Sequence, residues 1–125
     1  MRNCVKNCWR VRGNRLKPTT APSDTATARA TTAEVTVEEP VRAYVTRLAR
    51  YTREHAELGV SPRGSIAAVR AAQGLAVLDS RSYVIPDDVQ AAVPVVFPHR
   101  MQTSGAGADA AEIVADAIES VPVEE

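Results

Sequence analysis

The sequence predicts an all-α protein, a small four-helix bundle preceded by a disordered N-terminal arm. Two features of the composition favour helices over a β-sandwich: alanine is abundant, and aromatic residues make up only 4% of the 125 residues. The third observation is that apolar residues recur at helical spacing from about residue 35 onward. A chain of this length holds one domain with a modest hydrophobic core.

The first 34 residues differ from the rest in charge and in complexity. Residues 1–33 hold seven basic residues and one acidic residue, whereas residues 34–125 hold eight arginines and fourteen acidic residues. Residues 18–33 consist almost entirely of Thr, Ala, Pro, Ser and Asp, with little to bury. We therefore predict a disordered basic arm over residues 1–34 and a folded domain over residues 35–125. Contact of this arm with nucleic acid or another anionic surface is the alternative.

Two long helices are predicted at the start of the folded domain, from about Glu38 to His55 and from Pro62 to about Leu78. In the first helix an apolar stripe is expected to face the core, and the arginines lie mostly off it. The residues of that stripe are Val41, Tyr44, Val45, Leu48 and Thr52. The second helix is apolar on nearly all sides, which predicts a central helix packed by several neighbours. Gly74 within it is interpreted as a point of close helix–helix approach.

A third helix is predicted to begin at Pro86, after a turn and a short extended segment at Tyr83–Val84. Asp87 and Asp88 follow the proline, where the helix dipole favours acidic residues, so capping explains them better than acid–base catalysis. Ile85 stands at the cap position and has no polar side chain. Its presence should cost about 1 kcal/mol unless another group replaces the missing cap.

The end of the third helix is expected near two prolines. Pro94 should kink the helix because an interior proline removes a hydrogen bond, and Pro98 should end it before His99-Arg100. After a flexible loop over residues 102–107, apolar residues at helical spacing predict a fourth helix, followed by an acidic tail. Its apolar stripe consists of Ala110, Ile113, Val114, Ala117, Ile118 and Val121.

The start of the second helix is the segment with the clearest chemical signal. Ser61 is expected to cap the free backbone N–H groups, and Pro62 suits the first helical position because it has no N–H. Arg63 then lies in the first turn, where most helices carry acidic residues. An arginine beside free N–H groups makes a local site for an anion, above all phosphate. The alternative is an ordinary capped helix with a solvated arginine.

Other catalytic and metal-binding patterns are missing from the sequence. It contains no G-x-x-x-x-G-K-[ST] loop and no G-x-S-x-G elbow. Cys4 and Cys8 are four residues apart, but two thiols without a nearby histidine do not make a zinc site, so no metal is assigned. His99 is interpreted as structural rather than catalytic. No apolar run is long enough to cross a bilayer and the N-terminus is a poor secretory signal, so a cytoplasmic protein without membrane contact is expected.

Three segments follow one another in the folded part: VRAYVTRLARYTREH, then LGVSPRGSIAAVRAAQGLAVLDSR, then YVIPDDVQAAVPVVFPHRM. This succession resembles the C-terminal lid domain of MoxR-type AAA+ ATPases, which is related to the lid of magnesium-chelatase ATPase subunits. The resemblance covers roughly Thr36 to Val123. It implies a small helical bundle beside a P-loop core that binds ATP and Mg²⁺. It also implies ring-shaped, often hexameric oligomers that remodel client proteins or help to insert metal cofactors.

The same resemblance implies a role for one residue of this chain. Arg63, in the Ser-Pro-Arg motif, matches the sensor-2 arginine, which reaches from the lid toward the nucleotide phosphates, and Ser61 and Pro62 support the helix start. The chain departs from the family pattern at Ile85 and Pro98. Residues upstream of about Val35 do not resemble the AAA+ core.

Three functions follow as hypotheses. The first is a lid-only fragment of a MoxR-type ATPase, which binds neither ATP nor Mg²⁺ alone and does not hydrolyse ATP alone. The second is a non-catalytic interaction module that docks onto intact AAA+ subunits through the apolar surface that the core normally covers. The third is a nucleic-acid binder that uses the basic arm. It is disfavoured because the bundle is acidic and Trp9 is the only aromatic residue in the arm.

Overall fold

Five α-helices form the fold in a computed structural model that describes residues 10–11, 14–15, 21–105 and 107–124. A 3₁₀ helix, Phe97–Arg100, lies between the last two α-helices. Two short antiparallel strands, β1 (Arg10–Val11) and β2 (Asn14–Arg15), pair near the N-terminus. The α-helices are α1 (Pro22–Glu34), α2 (Glu39–His55), α3 (Pro62–Leu78), α4 (Pro86–Val96) and α5 (Ala110–Ser120).

The predicted all-α bundle is confirmed, and helices α2 to α5 lie where the sequence placed them. Helix α3 has the predicted bounds, and α2 begins one residue later than predicted. The extended segment at Tyr83–Val84 is also confirmed, since the N–H of Val84 donates to the carbonyl of Thr36 at 3.0 Å. No helix in the described ranges is both long enough and apolar enough to cross a membrane.

Helix α1 corrects the prediction of a disordered arm through residue 34. Pro22 lies in its first turn, and the Asp24 carboxylate accepts from the N–H of Ala21 at 2.8 Å, so the helix start is capped. Threonine hydroxyls of the helix, such as Thr27, donate to carbonyls four residues earlier. The composition of this segment predicted that it has little to bury, and the structure agrees, because no residue of α1 is buried. Before α1, the structure describes only Ala21 and the strand pair of the predicted arm, and its other residues lie outside the described ranges.

The core lies between α2, α3, α4, the 3₁₀ helix and α5, and the most extensive contact between helices is that of α3 with α4. Helix α2 contributes the residues predicted for its apolar stripe, all of them buried. The largest fully buried side chains of the protein are Tyr44, Phe97, Leu48, Val45, Val60, Val89, Val93, Val114 and Thr52.

Helix α3 contacts α1, α2 and α4, as expected for a central helix, but it is not buried on nearly all sides. Its buried line consists of small residues four apart: Gly64, Ala68, Ala72 and Ala76. Ile66 and Leu78 are 54% and 80% exposed. A Cβ at Gly74 would meet no atom within 4 Å, so the predicted close approach at this glycine is wrong.

The prolines near the end of α4 act differently from one another. Pro94 lies inside α4, which continues to Val96. The α-helix ends before His99-Arg100, as predicted, but the chain stays helical past Pro98, because the tighter 3₁₀ helix continues through His99 and Arg100. Phe97 is fully buried and anchors this turn to the core. As a result, Arg100 is held on a short rigid element rather than on a free loop.

Candidate functional site

The start of α3 has the backbone geometry of a helix N-terminus. Ser61 occupies the cap position with extended backbone angles, φ −73° and ψ 166°, and Pro62 follows in the first turn. The carbonyl of Ser61 accepts from the N–H groups of Gly64 and Ser65 at 2.9 and 3.2 Å. The prediction that the Ser61 side chain caps the helix is wrong, since it makes no capping hydrogen bond in the described structure. Among residues 62–65, the backbone N–H of Arg63 is thus the one left for an acceptor outside the helix, because Pro62 has no N–H and those of Gly64 and Ser65 are already bonded.

Val60, just before this helix, is held by the end of α2. Its N–H donates to the hydroxyl of the buried Thr52 at 3.1 Å, and the same hydroxyl donates to the carbonyl of Ala49 at 2.7 Å. The carbonyl of Val60 accepts from Nε of Arg53 at 2.8 Å. Both polar groups of this buried peptide are thus satisfied by neighbouring residues of one helix. Arg53 lies off the apolar stripe of α2, as predicted, but its hydrogen bond to Val60 was not predicted.

The loop is fixed at two further points. The backbones of Leu58 and Gln102 exchange two hydrogen bonds, at 3.0 and 2.8 Å, which link this loop to the segment after the 3₁₀ helix. Gly59 lies so close to the backbone of Arg53 that a Cβ there would overlap it. The segment that presents Arg63 is therefore tied to α2 on one side and to residue 102 on the other.

Arg63 is exposed in the first turn of α3 and lines a surface pocket of about 370 Å³. The other residues that line this pocket are Ile66, Ala67, Arg70 and Arg100. A Cβ at Gly64 would lie 3.2 Å from Cδ of Arg100, so the side chain of Arg100 passes close to the first turn of α3. The structure thus brings two further arginines to Arg63. The sequence could have indicated that Arg70 lies near Arg63, because the two residues are two helical turns apart on one helix.

A second polar cluster fixes the start of α4. Arg81 donates to both carboxylate oxygens of Asp88 at 2.7 Å, and Asp79 also accepts from Arg81 at 3.0 Å. Asp88 also accepts from the N–H of Ile85 at 3.0 Å, which is one half of a capping box and confirms the capping role of Asp88, while the side chain of Ile85 caps nothing. The hydrogen bonds from Arg81 lower the pKa of the buried Asp88 below its ordinary value, and they raise the pKa of Arg81. This cluster is structural and lies apart from the arginines around Arg63.

The possible metal ligands and the two histidines lie dispersed in the described ranges. Groups of three or more His, Cys, Asp or Glu side chains that could hold a metal do not occur there. Cys4 and Cys8 lie outside the described residues. His99 is exposed on the 3₁₀ helix, and His55 stacks on Tyr51 with 3.9 Å between ring centroids.

Comparison with known proteins identifies the fold and its relatives. The family model described as "AAA lid domain" matches residues 48–120. Uncharacterized protein YeaC of Bacillus subtilis is 42% identical over 88 residues, covering 69% of this chain and 28% of that protein. Chaperone MoxR1 of Mycobacterium tuberculosis is 38% identical over 69 residues, covering 46% of this chain and 18% of that protein.

A solved structure of a candidate ATPase from Cytophaga hutchinsonii has the same fold. It superposes with a TM-score of 0.82 over 98% of this chain and 42% of the other, at 19% sequence identity. The chain spans less than a third of the length of these two curated relatives and less than half of the solved structure.

Proposed function

We propose that this chain, which belongs to the AAA lid domain family and is of the MoxR type, supplies Arg63 as the sensor-2 arginine of an ATPase. The observation that supports this role most directly is the placement of Arg63. Its side chain is exposed at a helix start, beside a pocket that no carboxylate lines. The backbone before it is fixed by α2, so the guanidinium is presented from a rigid segment.

The chemistry of Arg63 suits a phosphate that is later lost. The guanidinium is planar and permanently charged, and it donates two parallel N–H groups to neighbouring oxygens of one phosphate. Bound ATP with Mg²⁺ would supply the phosphoanhydride that is cleaved. Arg63 would bind the terminal phosphate before cleavage and lose that contact afterwards. The bundle would then favour one position while the terminal phosphate is present and another after it is lost.

The remaining parts of the ATPase would come from outside these residues. The 125 residues contain no phosphate-binding G-x-x-x-x-G-K-[ST] loop, and no acidic residue lines the pocket beside Arg63 to bind Mg²⁺. We therefore assign residues 35–125 to the lid and expect an AAA+ core to provide the loop and the metal ligands. We further propose that the complete ATPase assembles into a ring. The ring would remodel client proteins or insert metal cofactors.

Reconstitution tests the role of Arg63. The chain is mixed with a MoxR-type core that lacks its own lid, and ATP turnover is measured with wild type, Arg63→Ala and Arg29→Ala. We expect wild type and Arg29→Ala to restore turnover equally, and Arg63→Ala to lower it at least about tenfold, since a lost charged contact to phosphate costs that much. Equal turnover with Arg63→Ala would contradict the proposal. Turnover by the chain without any core, above that of Arg63→Ala, would contradict it as well.

A second candidate function is docking onto intact AAA+ subunits without a share in catalysis. It is favoured by Ile66, a large apolar residue that is 54% exposed on the same face as Arg63. Co-purification with an intact MoxR-type subunit, lost on Ile66→Asp and kept on Arg63→Ala, would support this function. A chain that stays monomeric and leaves such a subunit unaffected would argue against it.

A further inference from the structure

Three arginines from two different elements meet around one surface pocket. Arg63 and Arg70 belong to α3, Arg100 belongs to the 3₁₀ helix, and Ile66 and Ala67 complete the lining of the pocket. In the described part of the chain, ion pairs involve other arginines, namely Arg47 and Arg81. The pocket therefore concentrates positive charge that no described carboxylate balances.

The positions of the three arginines are set by the backbone. Arg63 and Arg70 are seven residues apart on one helix, so they lie on one face about 10 Å apart along its axis. Arg100 approaches that face from the other side, and its aliphatic stem passes Gly64 in the first turn. The hydrogen bonds between Leu58 and Gln102 hold the segments before Arg63 and after Arg100 together.

Like charges at such a site are unfavourable unless a ligand compensates them. Each guanidinium repels the other two, and the positive end of the α3 dipole adds to the repulsion near Arg63 and Arg100. A single phosphate group offers oxygens to one or two guanidinium groups. A linear triphosphate carries several negative charges in a row and matches a row of arginines better.

We propose that Arg100 is a second phosphate ligand beside Arg63, and that the pocket takes a linear triphosphate group with Arg70 at its far end. This inference rests on the proposed function, in which Arg63 faces a nucleotide phosphate. It adds a ligand from a different element, so the phosphate chain would bridge α3 and the 3₁₀ helix. Nucleoside triphosphates and inorganic triphosphate share this chemistry.

Titration of the full 125-residue chain tests the proposal. Sodium tripolyphosphate, ATP and AMP are added separately, without Mg²⁺, and amide NMR shifts near Gly64 and Arg100 report binding. We expect Arg100→Gln and Arg63→Gln each to weaken tripolyphosphate binding about fivefold to tenfold. Glutamine keeps most of the aliphatic stem beside Gly64, and unchanged melting temperatures confirm that the fold is intact. Arg100→Lys should recover part of the affinity, because it keeps the charge and loses the planar fork.

Arg50→Gln is the matched control, since it removes one positive charge from an exposed position of α2. Arg50 is not among the residues that line the pocket of Arg63, Arg70 and Arg100. We expect it to change affinity less than twofold. Binding of ATP and tripolyphosphate with similar affinity, and of AMP much more weakly, supports a triphosphate site. If ATP binds more tightly than tripolyphosphate, the triphosphate site is also supported, and the difference indicates an additional contact to the nucleoside.

The outcomes separate this inference from the proposed function. If Arg100→Gln binds as well as Arg50→Gln, the inference is overturned and the role of Arg63 stands. Failure of the wild-type chain to bind any triphosphate also overturns it, while Arg63 could still act in a pocket completed by the core. If Arg63→Gln binds tripolyphosphate as well as wild type, the shared site of Arg63 and Arg100 is overturned, and the turnover of Arg63→Ala with the core decides the proposed function separately.

Discussion

Gly59 is the position at which the smallest change should disturb the loop before Arg63. A side chain there would overlap the backbone of Arg53, the same residue whose Nε donates to the carbonyl of Val60 at 2.8 Å. Backbone atoms of a helix cannot move aside as the end of a flexible side chain can. The contact between the loop and α2 therefore depends on glycine.

Gly59→Ala should destabilise the protein by about 2 kcal/mol, because the added methyl group must push the loop away from α2. The hydrogen bonds of Val60 to Thr52 and Arg53 would weaken at the same time. Urea unfolding followed by circular dichroism measures this change in the free energy of unfolding. A variant as stable as wild type would show that the loop has room to move.

Gly74→Ala serves as the matched control within the neighbouring helix. A Cβ there would meet no atom within 4 Å, so the substitution adds no clash and removes the conformational cost of a helical glycine. We expect this variant to be more stable than wild type by about 0.5–1 kcal/mol. Loss of stability at Gly74 would contradict the assignment of open space beside this part of α3.

At the scale of elements, the turn between α3 and α4 depends on one buried carboxylate. Asp88 is 5% exposed, pairs with Arg81 and accepts from the N–H of Ile85. Ser80 in this turn has a positive φ of 57°, which lets the chain reverse after α3. The ion pair and the turn together set the start of α4.

Asp88→Asn should lower the free energy of unfolding at neutral pH by about 1–3 kcal/mol, through lost charged hydrogen bonds. The pKa of Asp88 is lowered in the folded protein, so its stabilising effect is complete above the ordinary aspartate pKa of about 4 and is lost as the pH falls below it. Unfolding free energies of wild type and variant, measured from pH 7 to pH 2, should therefore converge in acid. A constant difference over this range would contradict the ion pair.

Much of the element order follows from local sequence signals, while the ties between elements do not. Proline at position 62 and the end of the apolar run at Leu78 were enough to bound α3, because both act through neighbours in sequence. The bonds from Thr52 and Arg53 to Val60 span a loop whose path no periodicity predicts. The seven-residue spacing of Arg63 and Arg70 in the sequence places them on one face of α3. The approach of Arg100 to that face depends on how α4 packs on α3, which the sequence does not reveal.

At the scale of the whole molecule, α1 stands apart from the cooperative core. None of its residues is buried, although it contacts α3, and Nε2 of Gln73 donates to the carbonyl of Val35 just after it. Helix α2, by contrast, buries six residues. Elements with little buried surface open at a lower free energy than the core.

Hydrogen exchange should therefore separate α1 from the rest of the bundle. We expect the amides of α1 to exchange by local opening, at least about a hundredfold faster than those of α2 and α4, because opening α1 exposes little apolar surface. Mass spectrometry of the intact chain after timed exchange, with peptide resolution, makes the comparison. Equal protection in α1 and α2 would show that α1 unfolds together with the core.

The backbone pair between Leu58 and Gln102 has a mechanical consequence. It joins the loop before α3, whose first turn carries Arg63, to the segment just after the 3₁₀ helix that carries Arg100, and the bonds from Thr52 and Arg53 join that loop to α2. These hydrogen bonds leave the backbone before Arg63 and after Arg100 little freedom to move independently of the helices. If Arg63 gains or loses a contact to phosphate, we therefore expect the whole bundle to tilt as one unit, since the loop before α3 is too constrained to move alone.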